Sequence, residues 1–187
     1  MPIVGIDQSA NHSGVTVLDD TGSILECCLI EPGHLRDVER LAFIRDKFSA
    51  ILDKYPSLHL AVLEGYSYGS TSKKFVLGEV GAVIKMCLYD RGVRLYAAAP
   101  VQLKKFATGK SRASKKDVVA AVATKWGLIV DDDNLADSYA LAQIGRQLWK
   151  PTTARRHELE VLMSLQKKSS KKRRPKKSKN APFTDNI

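Results

Sequence analysis

The chain has 187 residues, 44% of them hydrophobic, and a formal net charge of +10. That length supports one well-filled core, and no run of 18 apolar residues offers a membrane span, so a two-domain or membrane-embedded protein is excluded from the reading. The charge is lopsided: residues 150–187 hold 12 Lys/Arg against 3 Asp/Glu, while residues 1–149 hold 18 against 17.

In chain order, 3–8, 14–18 and 23–30 read as three strands separated by short turn segments, a spacing that suits an antiparallel meander. Apolar residues then recur at three- and four-residue steps from Leu35 to Tyr55, which predicts an amphipathic helix that Pro56 stops. Residues 58–63 are apolar enough for a strand buried on both faces, as in a parallel sheet. A loop at 65–72, a helix over 73–90 and a strand at 92–97 follow. Pro100 starts a short helix that Gly109 ends. Ser114 with Asp117 resembles a capping box for a helix to Trp126, and Asp131-Asp132-Asp133 opens a last helix to Trp149. The order βββαβαβα predicts an α/β domain with a mixed five-stranded sheet over residues 1–150. Residues 151–187 form a basic extension. It has room for one helix at 153–166, and from Lys167 to Lys179 its composition builds no core and predicts disorder.

The three cysteines, Cys27, Cys28 and Cys87, contain no C-x-x-C pair. They argue against disulfides or a zinc site and for a reducing, cytoplasmic setting. Nothing before the first strand has the regions of a signal peptide. The basic run Lys171 to Lys179 can also serve as a nuclear address, but a bacterial or phage-infected cell is the favoured setting. A basic tail on a near-neutral body points to nucleic acid as partner.

Acids stand beside apolar residues on three elements: Asp7 at the end of the first strand, Glu64 after the strand 58–63, and Asp133 and Asp137 in the first turns of the last helix. Singly, each has a plainer role as a turn residue, surface acid or helix cap. In a mixed sheet the first and fourth strands can be neighbours, which brings Asp7 to Glu64, and a helix across the strand ends adds Asp137. Acids so close repel, and a divalent cation relieves that conflict. Carboxylate oxygens suit Mg²⁺, and paired ions activate water and stabilise the leaving oxygen in phosphodiester cleavage.

Gly5-Ile6-Asp7-x-Ser9 with Gly14-Val15-Thr16-Val17, then Val62-Leu63-Glu64, Leu77-Gly78-Glu79-Val80-Gly81, Pro100-Val101-x-x-Lys104 and Asn134-Leu135-Ala136-Asp137-Ser138-Tyr139-Ala140-Leu141-Ala142 together resemble the RuvC family of Holliday-junction resolvases. The resemblance covers about residues 1–149. It implies a ribonuclease-H-like fold, a homodimer and two Mg²⁺ ions per active site, with Mn²⁺ able to substitute. It also implies cleavage of four-way DNA junctions by paired nicks that leave 5′-phosphate and 3′-hydroxyl ends. It makes Asp7, Glu64 and Asp137 the metal-binding carboxylates. Where the family carries Asp or His three residues before its last Asp, this chain has Asn134, with Asp133 beside it. Asn134 is the favoured fourth ligand and Asp133 the favoured helix cap.

Lys104, Lys105, Lys110, Arg112, Lys115 and Lys116 form an acid-free basic stretch that suits phosphate contacts, and the resemblance singles out Lys104 and Lys115. A solvated loop is the plainer alternative. Tyr66 and Tyr68, in a Gly/Ser loop after Glu64, are placed to stack on unpaired bases, whereas Phe75 reads as core. Gly78, Gly81 and Ala82 read as a close-packing helix face for a second subunit, or for the chain's own sheet. Two alternative functions stay open here: a less selective nuclease for flaps, forks and three-way junctions, and a non-catalytic junction-binding protein.

Overall fold

The computed structural model describes residues 1–65, 71–152 and 154–172. Five strands, β1 (Ile3–Asp7), β2 (Ser13–Leu18), β3 (Ile24–Ile30), β4 (Leu60–Glu64) and β5 (Arg94–Ala98), form one sheet in the order β3-β2-β1-β4-β5. The β1–β2 and β2–β3 pairs are antiparallel, and β1–β4 and β4–β5 are parallel. The meander and the buried parallel strands are therefore as the sequence predicts. Among the described residues, helices α1 (Asp37–Asp53) and α2 (Thr71–Asp90) connect strands, and α3 (Pro100–Thr108), α4 (Lys115–Trp126), α5 (Asp133–Trp149) and α6 (Arg156–Lys172) follow β5.

Strand alternation divides the core in two. Val4, Ile6, Val15, Val17, Ala61 and Leu63 face α1 and α2. Ile3, Leu18, Leu60 and Val62 face α5, with α3, α4 and α6 completing that layer. Asp7 and Glu64 fall in the same alternation as Ile3 and Leu60, so their side chains belong to the α5 face.

Small residues let α5 lie almost on the sheet. A Cβ on Gly5 would overlap the Ser138 carbonyl and the Ala142 amide, and one on Gly14 would overlap the Asn134 carbonyl. At the other end of the helix, a Cβ on Gly145 would press on Ile3. Thr16 and Ser138 share a buried hydroxyl hydrogen bond of 2.8 Å across the same contact. These contacts fix the direction of α5: its first turn lies over the end of β1 that carries Asp7, and its last turns lie over the start.

The helix ends follow their local chemistry. Ser114 Oγ accepts from the Asp117 amide at 3.2 Å while Asp117 accepts from the Ser114 amide at 2.7 Å, and Gly109 closes α3 at φ +82°. Three expectations need correction. Phe75 is not core; it is 72% exposed on α2. Gly81 is buried and faces inward, so it does not share a face with half-buried Gly78 and exposed Ala82. The extension past Pro151 is more than a tail, because Val161, Leu162 and Leu165 of α6 are buried against the α3 layer, and the helix runs on through Lys172. An apolar stripe at 161, 162 and 165 supports the helix, and the following lysines do not oppose its last turns. No helix among the described residues is long and apolar enough to cross a membrane.

Candidate active site

The parallel register that pairs Ile3 with Leu60 and Ile6 with Leu63 sets Asp7 beside Glu64 at the C-terminal ends of the two central strands. Gln8 locks this register, its Nε2 donating to the Glu64 carbonyl at 2.9 Å. Asp7 is 6% exposed. Burial, repulsion from Glu64 and a hydrogen bond with Glu64 push its carboxyl well above the ordinary range. Glu64 is raised as well, by burial, and the bond from Asp7 and the charges of Lys115 and Lys104 moderate the effect. Both carboxyls are pushed up because two desolvated carboxylates in contact penalise each other's charged form.

Asp137, one turn into α5, completes the group. Burial first, and then repulsion from Glu64, lifts its pKa to about 7. It acts on Asp7 through space rather than through a hydrogen bond. Among the described residues, no three His, Cys, Asp or Glu side chains stand close enough to hold an ion as they are placed. The donor set nonetheless fits a hard divalent cation: three carboxylates on one rim, each driven toward its neutral form for want of positive charge.

Lys115 supplies part of that charge. It opens α4 and makes an ion pair with Asp133, and its field reaches Asp7, Glu64 and Asp137. Lys104 on α3 adds a weaker field at Glu64 and Asp137. The structure thus brings Lys104 and Lys115 to the acids. Lys105 turns away, pairing with Glu160 of α6 at 2.6 Å. Lys116 lines an open cleft with Lys115, Ile129, Asp131 and Asp133, while Lys110 and Arg112 are exposed on the α3–α4 loop. Tyr66 and Tyr68 lie outside the described residues.

The cap of α5 differs from expectation. Asp132, not Asp133, is the N-cap: its Oδ1 accepts from the amides of Asn134 at 2.8 Å and Leu135 at 3.1 Å. Three consecutive aspartates all satisfy the composition rule, and only the backbone turn at residue 132 selects among them. Asp133 is therefore free of the cap and holds Lys115. Asn134 sits in the first turn of α5, half-buried, with its carbonyl directly over Gly14. Sequence reasoning missed Gln8, and it missed the packing of α6 into the core though not the helix itself. A lone amide ending an apolar strand was the available signal for Gln8. Its Oε1 is buried without a hydrogen-bond partner among the described residues.

With this geometry in place, likeness to known proteins is decisive. The family model for crossover junction endodeoxyribonuclease RuvC matches residues 3–144. The chain belongs to the RuvC family. The family consists of metal-dependent endodeoxyribonucleases. Crossover junction endodeoxyribonuclease RuvC of Treponema denticola is 31% identical over 148 residues, covering 75% of this chain and 82% of the relative. The protein of the same name from Finegoldia magna is 26% identical and covers 76% and 90%. The solved Thermus thermophilus RuvC superposes with a TM-score of 0.69 at 22% identity, over 82% of this chain and 99% of that one. A T. thermophilus RuvC structure in complex with a Holliday junction substrate gives 0.67 at 23%, over 76% and 90%. Both establish the ribonuclease-H-like fold, and the span that the family model matches, residues 3–144, stops short of α6.

Proposed function

We propose that this chain cuts four-way DNA junctions by paired, Mg²⁺-dependent nicks. The observation that carries the reading is the contact of Asp7 with Glu64 on adjacent parallel strand ends, with the first turns of α5 laid across them. Asp7, Glu64 and Asp137 are the residues to hold two Mg²⁺ ions, with Asn134 as a neutral fourth ligand through its side-chain carbonyl. The bound ions supply a hydroxide-like water and charge relief for the leaving oxygen, and Mn²⁺ serves the same chemistry. The chain's own part is positioning and electrostatics. Lys115 and Lys104 draw the scissile phosphate to the rim, and the amino end of α5 faces the same place with its partial positive charge. Lys110, Arg112 and Lys116 extend the phosphate contacts along the α3–α4 loop. Tyr66 and Tyr68 follow Glu64 in sequence, where they suit stacking on bases opened at the crossover.

Symmetric cuts on two strands need two sites, and α2 offers a surface for pairing. Phe75, Ala82, Met86 and Tyr89 project on one stripe, three of them 72%, 64% and 84% exposed large apolar side chains, and nothing lies within 4 Å of a Cβ placed on Gly78. A homodimer through α2 covers this stripe. The direct test is a labelled four-way junction with Mg²⁺, alongside flap, fork, three-way and linear DNAs. The expected result is paired nicks in the four-way substrate, abolished by Asp7→Asn, Glu64→Gln or Asp137→Asn with binding retained. Cutting above about a tenth of wild type in any of the three variants defeats the assignment. Equal cutting of flaps and forks replaces it with a less selective nuclease.

A further inference from the structure

The end of α5 away from the acids opens on a polar cavity of about 220 Å³, walled by all four helices of its layer. Lys125 enters it from the last turn of α4, Arg146 from the last turn of α5, and Arg155 and Glu158 from the start of α6. Arg146 stands roughly 14 Å of helix beyond Asp137, at about 1.5 Å per residue. The cavity is therefore separate from the acid cluster. Three cations meet one acid there.

Most polar groups of the wall are already satisfied. Lys125 is paired with Glu158, donates to the Phe106 carbonyl at 3.3 Å and lies 4.2 Å from the centroid of the Trp126 ring. Glu158, 5% exposed, also accepts from the Arg155 amide at 2.7 Å. Gln147 exchanges hydrogen bonds with Thr152 at 2.5 and 3.0 Å. Gln143, 2% exposed, donates to the Tyr139 hydroxyl and accepts from Arg146 Nε, both at 2.8 Å. What is left over is positive. Among the described residues, neither the terminal nitrogens of Arg146 nor the guanidinium of Arg155 has a hydrogen-bond or ion-pair partner. A guanidinium presents paired N–H donors that match the edge of an oxyanion. With Lys125 answered by Glu158, the two arginines leave a surplus that a doubly charged anion balances.

We propose that this cavity binds a free phosphate dianion, clasped between Arg146 and Arg155, and that the anion fastens the root of α6 to the end of α5. The proposal does not depend on the nuclease reading. The phosphodiesters of a DNA backbone offer related chemistry, but each brings a single charge, and the cavity is set between four helices and not along an open ridge.

Thermal melts of the full chain test it, without Mg²⁺ and at about pH 8, where a phosphate is doubly ionised. Inorganic phosphate is titrated against chloride at matched ionic strength. A ligand that binds only the folded chain raises the melting temperature, and a phosphate-specific rise of at least about 2 °C is expected. Arg146→Gln and Arg155→Gln are each expected to lose most of that rise. Arg155→Gln is the cleaner variant: its exposed side chain has no partner to lose among the described residues, so its melting temperature in chloride is expected to match wild type. Both variants are expected to bind a four-way junction as wild type does. No phosphate-specific rise in wild type, or a full rise in both variants, overturns the site. Weaker junction binding by both variants without any phosphate-specific rise also overturns it, and assigns the two arginines to the DNA backbone instead.

Discussion

Lys115, at the start of α4, is held by the carboxylate of Asp133, the first residue of α5. The pair ties the basic arm of the site to the helix that carries Asp137, and it divides the roles of three neighbouring acidic or amide residues that composition alone leaves alike. Asp132→Ala removes the cap and is expected to lower stability by about 1 kcal/mol, with the metal requirement unchanged. Asp133→Ala breaks an ion pair whose side chains are 67% and 35% exposed, so its stability cost is expected to be less than about 1 kcal/mol, while cutting weakens as Lys115 loses its tether. Asn134→Ala is expected to raise the Mg²⁺ concentration needed for half-maximal cutting and to leave the melting temperature near wild type. Thermal melts paired with Mg²⁺ titrations of cutting check all three. Loss of cutting in Asp133→Ala with an unchanged Asn134→Ala reverses the last two roles.

Glu158, itself buried, anchors α6 through an ion pair with partly exposed Lys125. Burial alone pushes its carboxyl up, but the Lys125 ammonium and the Arg155 amide outweigh that and hold it below the ordinary value of 4.5. A depressed carboxyl contributes stability that is present above its unfolded value and is lost as pH falls through the folded one. Wild type is thus expected to lose this contribution below about pH 4.5, whereas Glu158→Gln, already less stable at neutral pH by about 3 kcal/mol, shows a flatter acid limb. Denaturant midpoints from pH 3 to 7 measure it, and parallel curves for the two proteins contradict it.

Gly5 and Gly78 are predicted to respond oppositely to alanine. At Gly5 the new methyl meets the backbone of α5, which cannot move without lifting off the sheet, so Gly5→Ala is expected to cost about 3 kcal/mol or more. At Gly78 the methyl meets nothing, and alanine is expected to stabilise the isolated subunit by up to about 1 kcal/mol. Equilibrium unfolding of both variants decides the matter.

The α2 stripe is tested by Met86→Glu, a charge placed where the side chain is 64% exposed. The subunit is expected to fold normally, since no core contact is lost, and to sediment near its monomer mass of 20.6 kDa. Paired nicking is expected to decay into uncoupled single nicks. A wild-type chain that already sediments as a monomer while making paired cuts removes α2 from the explanation.

Much of this protein is legible in its sequence because the relevant physics is local. Period-two and period-3.6 patterning marks β1 to β5 and α1 to α5, Gly109 and the Ser114–Asp117 pair mark helix ends, and the spaced motifs around Asp7, Glu64 and Asp137 mark the acids. Local patterning therefore suffices for the element order, the acid-bearing strand ends and the basic α3–α4 loop. The tertiary structure decided the rest, because each remaining point is a competition between residues of equal local fitness. Asp132 takes the cap from Asp133 because the chain turns into α5 there. Lys115 faces the acids while Lys105 is drawn off by Glu160, a residue 55 positions away. Phe75 is left outside because Val80, Ile84, Cys87 and Leu88 already fill the inner face of α2. The direction of α6 is set by contacts with α3 that no local pattern encodes.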